Sequence, residues 1–321
     1  MAVYTVVSDE MIDHVLLQYD IGQRQSLIGI TQGVENTNYK LETTEGSFIL
    51  TIYEKRVDPA DLPFFINLKT HLAHKDYPCP MPIAAKDGQV LRQIERKFMA
   101  IVSFLNGTCT ASPDLEQCHA AGAILAKMHI KSADFTMPRT NALNQHTWQK
   151  LADQIKTDLA DNKHFSQMSQ IQKWLIQIEK DWPTELPKGV IHGDLFPDNV
   201  LFEDTAITGV IDFYFACQDM LAYDLAIMIN AWCFDNPEQF NLHKAKALIA
   251  GYSAHRMLQD DEIKALPILA RGASMRFYLT RLYDLIHTPK DAQVKPHNPD
   301  DYWHRLKFFH LIASSQEIGV S

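Results

Sequence analysis

Residues 8–17 place Met11, Ile12, Val15 and Leu16 at helical spacing, and Ser8 or Asp9 stands where a helix cap belongs. The period then shortens. Residues 26–30 (SLIGI), 39–43 (YKLET) and 47–53 (SFILTIY) read as strands, with Glu45-Gly46 as the turn between the last two. This is a β-meander with hairpin signals. PFFINLKTHLAH at 63–74 returns to a helical period, and the proline cluster at 78–82 breaks it. Two further strands are predicted, 89–94 after the Asp87-Gly88 turn and 97–105 before Asn106-Gly107-Thr108.

Beyond this point the pattern changes. Residues 114–130 form an apolar-rich helix, and 145–161 and 167–182 form amphipathic ones. A short β segment follows, in VIHGDLFPDNVLF at 190–202 and ITGVID at 207–212, and from Asp219 onward nearly everything reads as helix. No internal repeat is visible. The pattern predicts an α+β chain: residues 1–105 as a small antiparallel β lobe, and 106–321 as a larger α-rich lobe.

Composition narrows the function. The chain has 321 residues, is 46% hydrophobic and 21% charged, and carries a formal net charge of -9. An acidic balance argues against nucleic acid as the main partner, which calls for a basic face. No apolar run approaches the roughly 18 residues of a membrane span. The five cysteines, Cys79, Cys109, Cys118, Cys217 and Cys233, include no C-x-x-C pair and give no zinc spacing. The N-terminus lacks a basic region followed by an apolar core, so a soluble, cytoplasmic protein with reduced thiols is expected.

The segment 190–202 carries a histidine, two aspartates and an asparagine between apolar flanks. Asp, Asn, Gly and Pro are turn formers, so a plain turn between buried strands is one reading. The other is chemical. Asp194 and Asn199 are five apart, and a hairpin would set Asp212, at the end of GVIDF, beside them. Two carboxylates and an amide oxygen are hard donors suited to Mg2+, a cation that leaves part of its shell to phosphates and water. Phosphoryl transfer needs such a set.

HGDLFPDN at 192–199 resembles the H-x-D-x-x-x-x-N loop of the protein-kinase-like fold, in the HGD form of aminoglycoside phosphotransferases and choline kinases, and Ile211-Asp212-Phe213 resembles the metal-binding element of that fold. The resemblance covers essentially the whole chain. It implies ATP and Mg2+ as cofactors, Asp194 as catalytic base, Asn199 and Asp212 as metal ligands, and His192 as a structural brace of the loop. It also implies a glycine-containing hairpin over the phosphates, here GITQGVENTN at 29–38, with Gly33, Asn36, Thr37 and Asn38 as donors. Backbone groups from Ser103 to Leu105 would meet adenine. The chain departs from the pattern on the next strand, where Thr51 stands in place of the expected lysine. Lys55 or Arg56 is the substitute in view, a solvated turn charge being the alternative reading.

GVENTNY, FILTIYEKR, HGDLFPDNVLF, IDFYFAC, LPFF and RFYLTRLYD together resemble a narrower group, the homoserine kinases of the aminoglycoside-phosphotransferase-like type. Homoserine as partner and O-phosphohomoserine as product, on the path to threonine, are what that resemblance implies. Arginine suits a substrate carboxylate by its planar fork. Arg276 and Arg281 are the candidates, with ordinary helix-surface arginines as the alternative. Asp219 and Asp224 are candidates for the ammonium, although Asp224 could equally complement a helix dipole. Tyr214 and Trp232 are candidate pocket walls or simply core. Choline, ethanolamine, hydroxylysine, a methylthio-sugar or an aminoglycoside are alternative acceptors, and a pseudokinase scaffold is a third reading. Nothing in the sequence fixes the oligomeric state.

Overall fold

The computed structural model describes residues 4–31, 36–54, 57–159, 164–288 and 295–320. Gly33, Lys55 and Arg56 lie outside the described residues. The chain divides into two compact units, one of Met1–Gly107 with Thr208–Tyr214, the other of Thr108–Ile207 with Phe215–Ser321.

The first unit opens with helix α1 (Asp9–Leu16), whose N-cap Ser8 accepts a hydrogen bond from the Met11 N–H. Strands β1 (Arg24–Ile30), β2 (Thr37–Thr43) and β3 (Gly46–Ile52) form the meander, and helix α2 (Leu62–Ala73) leads to β4 (Arg92–Ile94) and β5 (Lys97–Ser103). The five strands make one sheet in the order β1-β2-β3-β5-β4 with every pair antiparallel. Strand alternation sends Leu41, Leu50, Ile52, Met99 and Ile101 into a core with Ile12, Val15 and Leu16 of α1. Thr51 and Tyr53 therefore face the other side of β3. Strand β4 is shorter than the predicted 89–94, because a turn closes before it. The Ala85 N–H donates to Gln89 O, and the Gln89 N–H donates to the Asp87 carboxylate.

The second unit is helical: α3 (Leu115–Lys131), α4 (Gln145–Asp158) and α5 (Phe165–Asp181) precede the short strands β6 (Lys188–Ile191) and β7 (Val200–Glu203). The chain crosses into the first unit within β8 (Ala206–Val210) and returns for β9 (Cys217–Met220) and α6 (Leu221–Trp232). The predicted run of helix is interrupted here by a small hairpin, β10 (Phe234–Asn236) with β11 (Gln239–Phe240), before α7 (Leu242–Ser253), α8 (Asp260–His287) and α9 (Asp300–Leu311). Helix α8 packs along α4, α6 and α9. β6 and β9 pair antiparallel, Ile191 opposite Cys217. No helix among the described residues is long and apolar enough to cross a membrane.

Candidate active site

The polar segment after β6 is a braced loop. Gly193 has φ +74°, a left-handed backbone that glycine adopts without strain, and a Cβ there would stand 2.9 Å from Phe215 O. Local bonds close the loop: the Phe196 N–H donates to Asp194 O, and the Asn199 N–H donates to Phe196 O. The His192 ring, fully buried, receives the Asp194 N–H at Nδ1 across 3.3 Å. His192 thus lies beneath the loop with its ring turned to the loop backbone. Asn199 closes the 3-10 turn Pro197–Asn199 and donates its Nδ2 to Asp194 O at 2.8 Å, with Asp194 Oδ2 at 3.4 Å. With its nitrogen engaged there, the amide presents its oxygen to a different direction. The Asp194 carboxylate is half-buried.

Three side chains from helices α6 and α8 hold this loop, and the sequence reading had offered all three to the substrate, Trp232 as a pocket wall or simply core. Asp224 of α6 is fully buried and accepts the N–H of His192 at 2.6 Å and of Gly193 at 2.9 Å, one on each carboxylate oxygen. His129 Nε2 lies 3.2 Å from the same carboxylate, and its Nδ1 lies 2.9 Å from the Tyr252 hydroxyl. Burial works against the Asp224 charge, but the His129 bond and charge and the His192 ring and backbone outweigh it, holding the carboxyl below its ordinary value. Arg276 of α8 is 2% exposed, donates to Gly193 O at 2.6 Å and stacks its guanidinium on Phe215 and Phe277. Trp232 Nε1 donates to Leu195 O at 2.8 Å. Asp224 and Arg276 are therefore corrected from substrate ligands to positioning residues: the Asp224 carboxylate is taken by two loop N–H groups and His129, and the buried Arg276 guanidinium sits on Gly193 O and two aromatic rings. The signal was present in the sequence. LAYDLAIMIN is apolar except for Asp224 and Asn230, and a lone acid in a buried helix must find donors.

The other substrate candidates keep some access. Asp219, half-buried on β9, accepts from Asn141 Nδ2 at 2.7 Å and from the Met220 N–H at 2.7 Å. Arg281 pairs with Asp301 at 3.2 Å and lies over the Tyr302 ring.

Within the first unit, Asp212 follows β8 with φ +64°. This left-handed conformation is uncommon for a residue with a Cβ, and such strain gathers at functional sites. Two residues on, the half-buried Tyr214 packs against side chains of the first unit. Its ring centroid lies 5.7 Å from that of Tyr53 and 5.5 Å from that of Phe65, and Lys69 Nζ stands 5.6 Å from it. Burial, with the Tyr53 and Asp212 charges beside it, pushes the Tyr214 hydroxyl well above its usual value, against a hydrogen bond with Thr51 that lowers it. Burial also holds the Lys69 ammonium down, to about 8, while Cys79 and Asp212 pull it upward.

Of the predicted phosphate donors, Thr37 is corrected. Its hydroxyl, fully buried, donates to Glu54 Oε1 at 2.8 Å and accepts the N–H of Tyr4 and Thr5, so its one proton is committed to a carboxylate and is not offered to a phosphate. Lys97 closes this cluster through a salt bridge to Glu54. Asn36 accepts the Glu54 N–H, and Asn38 accepts the Thr51 hydroxyl through Oδ1 at 2.8 Å. Ser103 exchanges bonds with Met81, its N–H donating to Met81 O and its Oγ accepting the Met81 N–H. Leu105 is half-buried beyond the end of β5.

The loop HGDLFPDN is thus braced from behind, and thirteen residues after its asparagine stands the left-handed Asp212. The model of the family described as "Phosphotransferase enzyme family" matches residues 26–258. The chain belongs to this phosphotransferase family. Within it, the chain is 46% identical over 321 residues to the homoserine kinase of Rhodospirillum rubrum, covering all of both chains. It is 47% identical over 320 residues to the homoserine kinase of Acidiphilium cryptum, again covering all of both. Among solved structures, an amicoumacin kinase in complex with AMP-PNP, Ca2+ and Ami is similar in fold, with TM-score 0.67 at 15% identity, over 98% of this chain and 93% of that one.

Proposed function

We propose that the protein transfers a phosphoryl group from ATP to the hydroxyl of L-homoserine, giving O-phospho-L-homoserine. The observation that carries this reading is the full-length identity to homoserine kinases on a chain whose HGD loop is intact and braced. Asp194 is the base. Its carboxylate is half-buried at the tip of a loop fixed on both sides, so it can meet the attacking hydroxyl, orient it and take its proton. A catalytic group held this way needs no reordering as the reaction proceeds.

Asn199 and Asp212 are proposed as the residues that hold Mg2+. The donors fit: the Asn199 nitrogen is committed to Asp194, which leaves the amide oxygen, and Asp212 offers a carboxylate, both hard ligands. When bound, the ion neutralises charge on the transferring phosphates. The neighbour solved with AMP-PNP and Ca2+ supports a divalent cation beside nucleotide in this fold. For the amino acid, Asp219 is the acid proposed for the ammonium. Arg281 is the arginine proposed for the carboxylate, which would displace Asp301 from it. Asn36, Asn38, Ser103 and Leu105, with Gly33 and Lys55 beyond the described residues, remain the proposed nucleotide contacts.

Coupled detection of ADP with L-homoserine, choline, ethanolamine, hydroxylysine, methylthioribose and kanamycin side by side tests the acceptor. Homoserine is expected to exceed every other acceptor in kcat/KM by a hundredfold or more. A higher value for any other acceptor overturns the assignment, and turnover with none of them supports a scaffold. Asp194→Asn is expected to lower kcat by about 10^2–10^4 while ATP affinity stays within a few-fold. Near-normal turnover in that variant removes Asp194 as the base.

A further inference from the structure

Helix α2 buries Leu62, Phe64, Phe65, Ile66, Leu68 and Leu72, and among them it buries a lysine, Lys69, at 5% exposure. A buried ammonium costs several kcal/mol unless charge or hydrogen bonds compensate it, and lysine is almost never found fully buried without such a partner. Any apolar side chain at that position would pack against the same neighbours without that cost. The lysine therefore needs a reason.

Its surroundings supply one. Thr51 is the β3 residue where a phosphate-binding lysine was expected; its hydroxyl donates to Asn38 Oδ1 and also acts on the Tyr214 hydroxyl, holding it lower than burial alone would. The Tyr214 ring is also the surface on which the Lys69 ammonium rests, 5.6 Å from the centroid. Phe65, one helical turn before Lys69, packs on that ring, and so does Tyr53, two residues after Thr51 on the same face of β3. The strand position that lacks the cation and the helix position that carries one thus converge on a single side chain. That side chain lies two residues from Asp212, whose charge acts on Lys69.

We propose that Lys69 supplies, from helix α2, the positive charge for the nucleotide phosphates that strand β3 lacks at Thr51. This deepens the kinase reading above and rests on ATP being the donor. In the absence of nucleotide, the Asp212 carboxylate serves Lys69 as counter-charge. With nucleotide bound, the phosphates take over that role and the carboxylate is released to the metal.

The test compares ligands that differ only in phosphate. Dissociation constants of ADP and adenosine are measured calorimetrically for the wild type, Lys69→Met and Lys69→Arg. Lys69→Met is expected to weaken ADP at least tenfold, leave adenosine within twofold, raise the KM for ATP and leave the KM for homoserine unchanged. Lys69→Arg, which keeps the charge, recovers part of the ADP affinity. An unchanged ratio of ADP to adenosine affinity in Lys69→Met overturns the proposal, because a purely structural lysine would alter both ligands alike or neither. Should the methionine variant not fold, Lys69→Gln is read by the same ratio. A wild type that binds ADP but phosphorylates no homoserine removes the acceptor assignment and leaves the Lys69 comparison intact.

Discussion

At Asp224 a carboxylate with no solvent exposure holds two backbone N–H groups of the catalytic loop and faces a histidine. Replacing it by asparagine keeps the volume but turns an NH2 toward a position where His192 or Gly193 already points an N–H. One donor is left buried without an acceptor, and the pairing with His129 is lost. Asp224→Asn is expected to cost about 1–3 kcal/mol of stability, the toll of leaving a buried donor without its acceptor. It is also expected to lower kcat at least tenfold, since the base then sits on a loosened loop. Urea unfolding and steady-state kinetics check this; an unchanged urea midpoint with full activity contradicts the bracing role. The pH sign follows from the carboxyl lying below its ordinary 3.8 despite burial, through the His129 bond and charge and the His192 backbone. Its contribution is complete above pH 3.8 and is lost as pH falls through the lower folded value. The closeness of Asp194 and Asn199 was legible in the sequence because the two are only five residues apart along the chain. The role of Asp224 was not. Its partners lie 32 and 31 residues away, and an acid in the first turn of a helix has an equally good local explanation in the helix dipole. Thr37 failed for a related reason: the Glu54 that occupies its hydroxyl is reached only when β2 and β3 pair.

Helices α3 and α7 cross at their backbones, not through side chains. A Cβ on Gly122 would stand 1.9 Å from Leu248 O, and a Cβ on Gly251 would stand 1.9 Å from His119 O. Both distances forbid any side chain unless the helices part. Gly122→Ala and Gly251→Ala are each expected to destabilise by about 1–3 kcal/mol or more, in spite of the better helix propensity of alanine. The two glycines serve one crossing, so the double variant should cost clearly less than the sum, because the second methyl enters a gap the first has opened. Urea midpoints of the two single variants and the double variant decide this, and full additivity would show two separate contacts. The helical period of residues 114–130 predicted α3 well, to within a residue at each end, and Asp114 caps it in a capping box. The crossing itself was not legible, because a glycine inside a helical pattern states only that something approaches closely, not what. Residues 89–94 show the converse: a good strand pattern was trimmed because the Asp87 carboxylate claimed the Gln89 N–H for a turn.

Over the whole molecule, the five tryptophans, Trp148, Trp174, Trp182, Trp232 and Trp303, all fall in the second unit, so tryptophan fluorescence reports on that unit alone. The same unit contains His310, whose ring lies 4.1 Å from Trp174 and whose Nδ1 donates to Leu306 O at 3.0 Å. Its Nε2 is buried and finds no hydrogen-bond partner among the described residues. A proton added there would be an N–H without an acceptor, and burial accordingly holds the imidazole down, to about 4, against the Leu306 bond, with the Arg271 charge adding to the effect. Burial lowers His297, also in the second unit, with Arg281 again adding to it. The unfolded chain takes up the His310 proton near its ordinary 6.5, whereas the folded chain refuses it until about 4. Between those values the unfolded state binds more protons, so stability falls steadily as pH drops from 6.5 to 4 and this contribution is spent below that. His310→Phe keeps a flat ring on Trp174 and removes the titration. Denaturant midpoints read by tryptophan fluorescence across that range should fall less steeply for the variant than for the wild type, with the two slopes agreeing above pH 7. Parallel slopes throughout would mean that His310 is protonated in the folded protein and that its environment is wetter than the packing against Trp174 implies.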